Sequence, residues 1–231
     1  MPFPVYVRNI VKNSSRAEKL CCLVALPVLI TCVTLIVLFA VQANNNPEAL
    51  HSVTVGLKEP WYLRRGDWHA MSPHRIEFLE LPVSYVIIGH AASHYCNQLY
   101  PCIEQMLLIQ EAFMRRGMND IGPNFLVGGN GYVFEGRGAN VLGAMVTSWN
   151  KKSITIMFMG NYVVDMPDQA QFDHINVLLD VLVKERVLRS NYTLYAQCQV
   201  KPHTYAPGRH ITERMKNFPH WNPVNISGCL I

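Results

Sequence analysis

Between Leu20 and Gln42 the chain carries no Asp, Glu, Lys, Arg or His. A packed soluble core rarely leaves so long a stretch without a single charge, and about 23 residues at ~1.5 Å rise span roughly 34 Å, enough to cross a hydrocarbon layer of ~30 Å. Dense basic blocks are also missing. The formal charge is only +4, and the basic residues cluster no further than the pairs Arg64–Arg65, Arg115–Arg116 and Lys151–Lys152. A nucleic-acid partner is therefore not expected. No internal repeat or low-complexity segment is present, which excludes solenoids and arrays.

The charges flanking the apolar run set its orientation. Arg8, Lys12, Arg16 and Lys19 precede it, and no Lys or Arg follows until Lys58. The basic side is expected to stay in the cytosol. This gives a cytoplasmic tail over 1–19, a transmembrane helix over 20–42 and a type II topology at the cell membrane, with the C-terminal part outside. The alternative is a cleaved secretory signal. The run exceeds the usual h-region of ~7–15 residues, and Ala40-Val41-Gln42-Ala43 makes a poor cleavage site. Both readings export the remainder. Pro27 is compatible with a helix in lipid.

Of the seven cysteines, Cys21, Cys22 and Cys32 lie in the run. Cys21 and Cys22, near the cytosolic boundary, suit either palmitoylation or plain apolar packing. Cys96, Cys102, Cys198 and Cys229 lie outside, an even set that favours disulfides in an oxidising compartment. Cys96 and Cys102 are close enough to staple a loop to a helix start, which leaves Cys198 and Cys229 over. Asn191-Tyr192-Thr193 and Asn225-Ile226-Ser227 are glycosylation sequons in the exported part, at Asn191 and Asn225.

Residues 43–60 show little periodicity and read as a stalk. The remaining 61–231 form one domain of ordinary size. Trp61–Pro73 is irregular. Strands are expected at Val83–Gly89, Asn124–Val127, Tyr132–Glu135, Ser153–Met159 and Tyr192–Ala196. Gly128-Gly129-Asn130-Gly131 joins the second and third of these as a hairpin. Helices are expected at Ile103–Arg116, stopped by Gly117, at Pro167–Val187, and briefly at Ile211–Asn217. Alternating strands and helices give an α/β domain with a mixed central sheet flanked by helices.

From Trp61 to Trp221 the order of the motifs resembles the peptidoglycan recognition protein domain, the fold shared with amidase-type phage lysozymes. Arg65-Gly66-Asp67-Trp68-His69-Ala70 is similar to the family's "R-x-x-W-G-A", and Tyr85-Val86-Ile87-Ile88-Gly89-His90 to its "V-I-I-H-H" strand. Asp120–Gly128 follows "D-I-G-Y-N-F-L-V-G", Tyr132–Gly138 follows "V-Y-E-G-R-G", Ser153–Tyr162 follows "S-I-G-I-x-F-I-G-N-F", and Pro219-His220-Trp221 ends the match. Cys96 and Cys102 have the spacing of the family disulfide. The chain also resembles the membrane-anchored, non-catalytic insect long forms (the LA-like branch).

Catalytic members of that family are zinc amidases with two His and one Cys as ligands and an open fourth position for water. The resemblance places Gly89, Gln197 and Ala206 at those ligand positions, and Pro123 where an assisting Tyr stands. Gly and Ala supply no donor atom, so no metal, cofactor or catalytic residue is expected. His90, His94, His203 and Cys198 are the other donors considered. His90 follows Gly89 along a strand, so its side chain is expected on the opposite face.

The ligand groove is altered too. Ala139 replaces a Trp of the family pattern, Met145 and Val146 replace a His-Thr pair, and Ala91 replaces a Thr. These changes remove hydrogen-bonding groups that a polar glycopeptide needs. His90, Arg137 and Trp149 remain as candidate groove contacts, and Ala139, Met145 and Val146 form a candidate apolar patch for a protein partner. The resemblance thus implies an innate-immune receptor or regulator that acts with other recognition proteins or signalling receptors, with peptidoglycan fragments as a further partner kind. The competing expectation is an active amidase.

Overall fold

The computed structural model describes residues 15, 16, 25, 27–38 and 53–229. The chain divides into two compact units, Met1–His51 and Ser52–Ile231.

In the first unit, residues 27–38 are helical and carry exposed apolar side chains, Val28 through Leu38. The hydroxyls of Thr31 and Thr34 donate to carbonyls one turn back, at Val28 and Ile30. Each polar side chain is thereby satisfied within the helix itself. Among the described residues no helix is long and apolar enough to cross a membrane. Apart from Ala25, the rest of the 20–42 span, including Cys21 and Cys22, lies outside them.

The second unit is built on six strands, β1 (Tyr62–Leu63), β2 (Val83–His90), β3 (Phe125–Val127), β4 (Val133–Glu135), β5 (Ser153–Phe158) and β6 (Leu188–Ala196), in the order β1-β4-β3-β5-β2-β6. Only the β3–β4 hairpin is antiparallel. All six residues of β5 are buried, as befits a parallel strand covered on both faces. Alternation sorts the side chains. Phe125, Val127, Ile154, Ile156 and Phe158 enter one core, while Leu126, Phe134 and Met157 enter the other. Helix α1 (Leu99–Arg115) covers the second core with Met106 and Ile109, and α2 (Gln169–Lys184) covers the first with Phe172, Ile175, Leu178, Leu179 and Leu182.

Several boundaries differ from expectation for local reasons. Helix α1 begins a turn early at Leu99, because Pro101 in the first turn needs no amide donor. Helix α2 begins after Asp168, whose side chain accepts from Ala170 N at 2.9 Å while Gln171 Oε1 accepts from Asp168 N at 3.0 Å. This capping box leaves Pro167 outside the helix. Strand β6 starts four residues early. Its exposed Arg189-Ser190-Asn191 stretch bulges between the pairs Val83–Leu188 and Tyr85–Thr193, and that polarity masks the strand in the sequence. The expected Ile211–Asn217 helix splits into α4 (Arg209–Thr212) and a 3-10 turn at Met215–Asn217; α3 (Gln197–Val200) follows β6 directly.

Within the 43–60 stretch read as a stalk, Val55 and Leu57 are buried in the α2-side core, and Val53 N and Gly56 N donate to Asn140 Oδ1 and Glu185 Oε1. Packed structure therefore begins by Val53. Two cysteine pairs are bonded, Cys96–Cys102 and Cys198–Cys229.

Candidate functional site

The parallel strands β2, β5 and β6 end side by side at His90, Phe158 and Ala196. An open groove of about 800 Å³ lies at this edge, where ligands commonly bind in α/β sheets. Its floor carries Met157 and Gln197. One wall is the α1 face with Leu108, Ile109, Ala112 and Phe113, and the other runs through Asn161, Val164, Asp165 and Ala206.

Three of the positions singled out in the sequence meet here. Gly89 sits on β2 opposite Met157. Gln197 is almost wholly buried, and its Oε1 rests where a side chain on Gly89 would begin. Ala206 lines the same groove, and its carbonyl accepts from Cys198 N at 2.8 Å. A bare backbone, a carboxamide and a methyl thus occupy one corner. Zinc prefers imidazole nitrogen, thiolate or carboxylate, and this corner offers none of them. The other donors considered do not regroup into a substitute. Cys198 is held in its disulfide, His203 is exposed with a left-handed backbone, and no cluster of three His, Cys, Asp or Glu suited to a metal occurs among the described residues.

His90 lines the groove together with Gln197, at the strand end where the groove opens. Strand β2 ends at His90, and the ring is held by Tyr162 N, which donates to Nδ1 at 3.1 Å. An accepting Nδ1 requires neutral imidazole with its proton on Nε2. Burial pushes the ring down from 6.5 to about 4, against the smaller upward pull of Asp165. Between those two values the unfolded chain binds the extra proton, so the contribution of neutral His90 is intact above pH 6.5 and is lost as pH falls towards 4. Unfolding free energies of the parent and of His90→Asn are expected to differ in slope across this window by less than about 1.4 kcal/mol per pH unit. Parallel slopes in denaturant titrations at pH 4 to 7 would show that the ring is not held neutral.

Arg137 and Trp149 lie outside this lining. The Arg137 guanidinium donates to the carbonyls of Ile121 at 2.5 Å, Leu142 at 2.9 Å and Asp120 at 3.4 Å. It is spent on joining two loops rather than offered to a ligand. Arg137→Ala is expected to cost about 2–3 kcal/mol of stability by orphaning those carbonyls, and Arg137→Lys, lacking the planar fork, to recover little. Thermal melts check this, and an unchanged melting temperature would return Arg137 to the ligand contacts. Trp149 packs edge-on against Tyr85 and Tyr195, centroids 5.0 and 5.4 Å away, with Lys152 Nζ 4.1 Å above its ring. The expected apolar patch does not form either. Ala139 and Val146 are buried, and of the three only Met145 reaches the groove.

The motif residues outside the groove hold the fold. Arg65 pairs with Asp120 at 2.9 Å, Asp120 also accepts from Gln110 Nε2 and Ile121 N, each at 2.7 Å, and fully buried Trp68 donates to the Glu135 carbonyl at 2.9 Å.

Comparison with known proteins settles the kinship. The N-acetylmuramoyl-L-alanine amidase family profile matches residues 79–217. Peptidoglycan-recognition protein SC2 of Drosophila melanogaster is 39% identical over 160 residues, covering 69% of this chain and 86% of that protein. The chain belongs to the peptidoglycan-recognition protein family. Among solved family structures, peptidoglycan recognition protein-LE in complex with tracheal cytotoxin, a monomeric diaminopimelic acid-type peptidoglycan, superposes with a TM-score of 0.69 at 30% identity, over 72% of this chain and 98% of that one. The ectodomain complex of recognition proteins LCa and LCx bound to the same toxin gives 0.67 at 32%, over 70% and 98%. The profile takes in Gly89, Gln197 and Ala206, so the altered corner lies inside the shared domain of this peptidoglycan-recognition protein.

The sequence did not mark Leu108 and Val164, which stand 54% and 67% exposed on opposite groove walls. Leu108 lies off the buried stripe of α1, and that misplacement is the one available signal.

Proposed function

We propose that this chain is a non-catalytic, membrane-anchored receptor or regulator of bacterial peptidoglycan sensing in innate immunity, working beside other peptidoglycan recognition proteins. The observation that carries the reading is the corner of Gly89, Gln197 and Ala206, where no side chain offers a zinc donor and the Gln197 amide fills the space a histidine on β2 would need. Hydrolysis of the muramoyl amide needs a metal-activated water in this family's chemistry, so the amidase reading has no support at these positions. Metal analysis of the purified chain, with a peptidoglycan-release assay on the same sample, is the test. Absence of zinc and of released stem peptide is expected; stoichiometric zinc with release would restore the amidase.

The anchor follows from the uncharged 20–42 run and its basic cytosolic flank. Export is supported by two disulfides and by the exposure of Asn191 and Asn225. A mass loss on glycosidase treatment of membrane-extracted protein is expected, and none would count against the outward topology. The partner reading draws on the LCa–LCx complex, in which two recognition proteins and one peptidoglycan fragment come together. Calorimetric titration with muropeptides is expected to give little heat alone and a ternary signal beside a binding relative; strong heat alone would make the chain a direct sensor.

A further inference from the structure

Helix α2 ends in a tight stop. Its C-cap is Glu185; Arg186 N donates to the Val183 carbonyl at 3.0 Å, and Val187 N to the Leu182 carbonyl at 2.8 Å. This pair of bonds calls for a left-handed residue at position 186, most often glycine. Here it is an arginine with φ 59°. A side chain in that conformation is strained. Among the described residues the guanidinium forms no ion pair or hydrogen bond to offset the strain. Lys184 already supplies the cation that a helix C-terminus favours. A local rule broken without a local gain points to a task outside the fold.

A second irregularity brings a second arginine to the same place. Strand β6 bulges through Arg189-Ser190-Asn191, and a bulge re-aims the side chains it carries. Arg186 and Arg189 both line an open pocket of about 410 Å³, and both are exposed. Arg189 too lacks an ion pair or hydrogen bond among the described residues, and no described Asp or Glu lines the pocket. Pro82 and Val183 give it an apolar side, Ser190 and Asn191 a neutral polar one. The pocket lies where β2 and β6 begin, at Val83 and Leu188, whereas the groove opens where they end. The two share no lining residue.

Two guanidiniums without counter-ions suit one tetrahedral oxyanion, which their planar forks grip through paired N–H groups. The volume admits a body of sugar size. Its C–H face would rest on Pro82 and Val183, and its hydroxyls would meet Ser190 and Asn191. We propose that Arg186 and Arg189 form a binding site for a phosphate or sulfate ester carried on a sugar, at the end of the sheet away from the groove.

The probes are sucrose octasulfate and glucose 6-phosphate, with sucrose and glucose as neutral counterparts, titrated calorimetrically into the purified full-length chain. Asn191 belongs both to the lining and to a sequon, so Asn191→Gln, which keeps a glycan out of the pocket, is titrated alongside. Saturable binding of a charged probe and none of its neutral counterpart is expected in at least one of the two chains. Binding of both charged probes assigns the site to single sugar esters, and binding of the octasulfate alone to densely sulfated glycans; either upholds the proposal. Arg189→Gln is expected to weaken binding about tenfold, the scale of one charged hydrogen-bonding partner lost. Arg186→Gly is expected to weaken it as much while raising the melting temperature by about 2–4 °C, because glycine relaxes the left-handed turn. Lys201→Gln removes the same charge from an exposed site outside the pocket and is expected to leave binding unchanged. No binding in either chain, binding of the neutral sugars, or equal losses in Lys201→Gln and the arginine variants overturns the proposal. So does a lower melting temperature in Arg186→Gly, which would show that the fold itself uses the arginine.

Discussion

The triple substitution Gly89→His, Gln197→His and Ala206→Cys is expected to give the chain about one equivalent of tightly held zinc. Gly89 faces the Gln197 amide, and Gln197 and Ala206 line the same groove. Single substitutions are expected to fail for a steric reason. A Cβ on Gly89 overlaps the Gln197 carboxamide, so Gly89→His alone inserts a ring into filled space at a cost of about 1–3 kcal/mol. Adding Gln197→His exchanges the obstructing amide for a second ligand, and Ala206→Cys supplies a thiolate from the facing wall. Metal analysis after dialysis against a zinc buffer decides the matter, with melting temperature recorded with and without metal. A folded triple variant that takes up no zinc would mean that the three positions do not converge as described. Zinc uptake is the readout rather than hydrolysis, because buried Pro123 occupies the place where the family resemblance puts an assisting tyrosine.

Asp120→Ala is expected to be the most damaging single change outside the core. The carboxylate gathers Gln110 Nε2, Ile121 N and the Arg65 guanidinium, and it is almost fully buried. Removing it strands a half-buried cation and two donors, a loss of about 3–5 kcal/mol. For a domain of this size that corresponds to a fall in melting temperature of about 6–20 °C. The exposed Glu111–Arg115 pair, 3.6 Å apart, is the control. Breaking it with Glu111→Ala is expected to cost under about 0.5 kcal/mol. Equal effects from the two variants would show that the Asp120 network contributes no more than a surface ion pair.

The sheet was legible wherever a strand advertised itself by continuous apolar character. VSYVIIG and SITIMFM became β2 and β5 with little change, because parallel strands covered on both faces cannot hide polar residues. Strand β1 was not legible. Two residues carry no period, and Tyr62–Leu63 is extended only because β4 lies alongside it. Helix ends were legible to within a turn, and the error at α2 came from giving Pro167 the start that Asp168 takes through its cap. The corner of Gly89, Gln197 and Ala206 was named in the sequence through its family motifs, but not what Gln197 does there. The collapse of its amide onto Gly89 follows from three-dimensional proximity that no spacing encodes. Arg137 and Trp149 looked like ligand contacts because charged and aromatic residues near a groove motif usually are. Three loop carbonyls and two tyrosine rings had prior use for them.

The Cys198–Cys229 bond closes a covalent ring across a sequence separation of 31. Within that ring lie exposed basic residues such as Arg209 and Lys216, attractive to trypsin-like proteases. A single cut at either one severs the backbone without releasing a fragment. The product keeps its mass on a non-reducing gel and separates into two pieces only after a thiol is added. The C-terminal segment beyond the cut therefore remains bound to the domain after proteolytic attack, for as long as the surroundings stay oxidising.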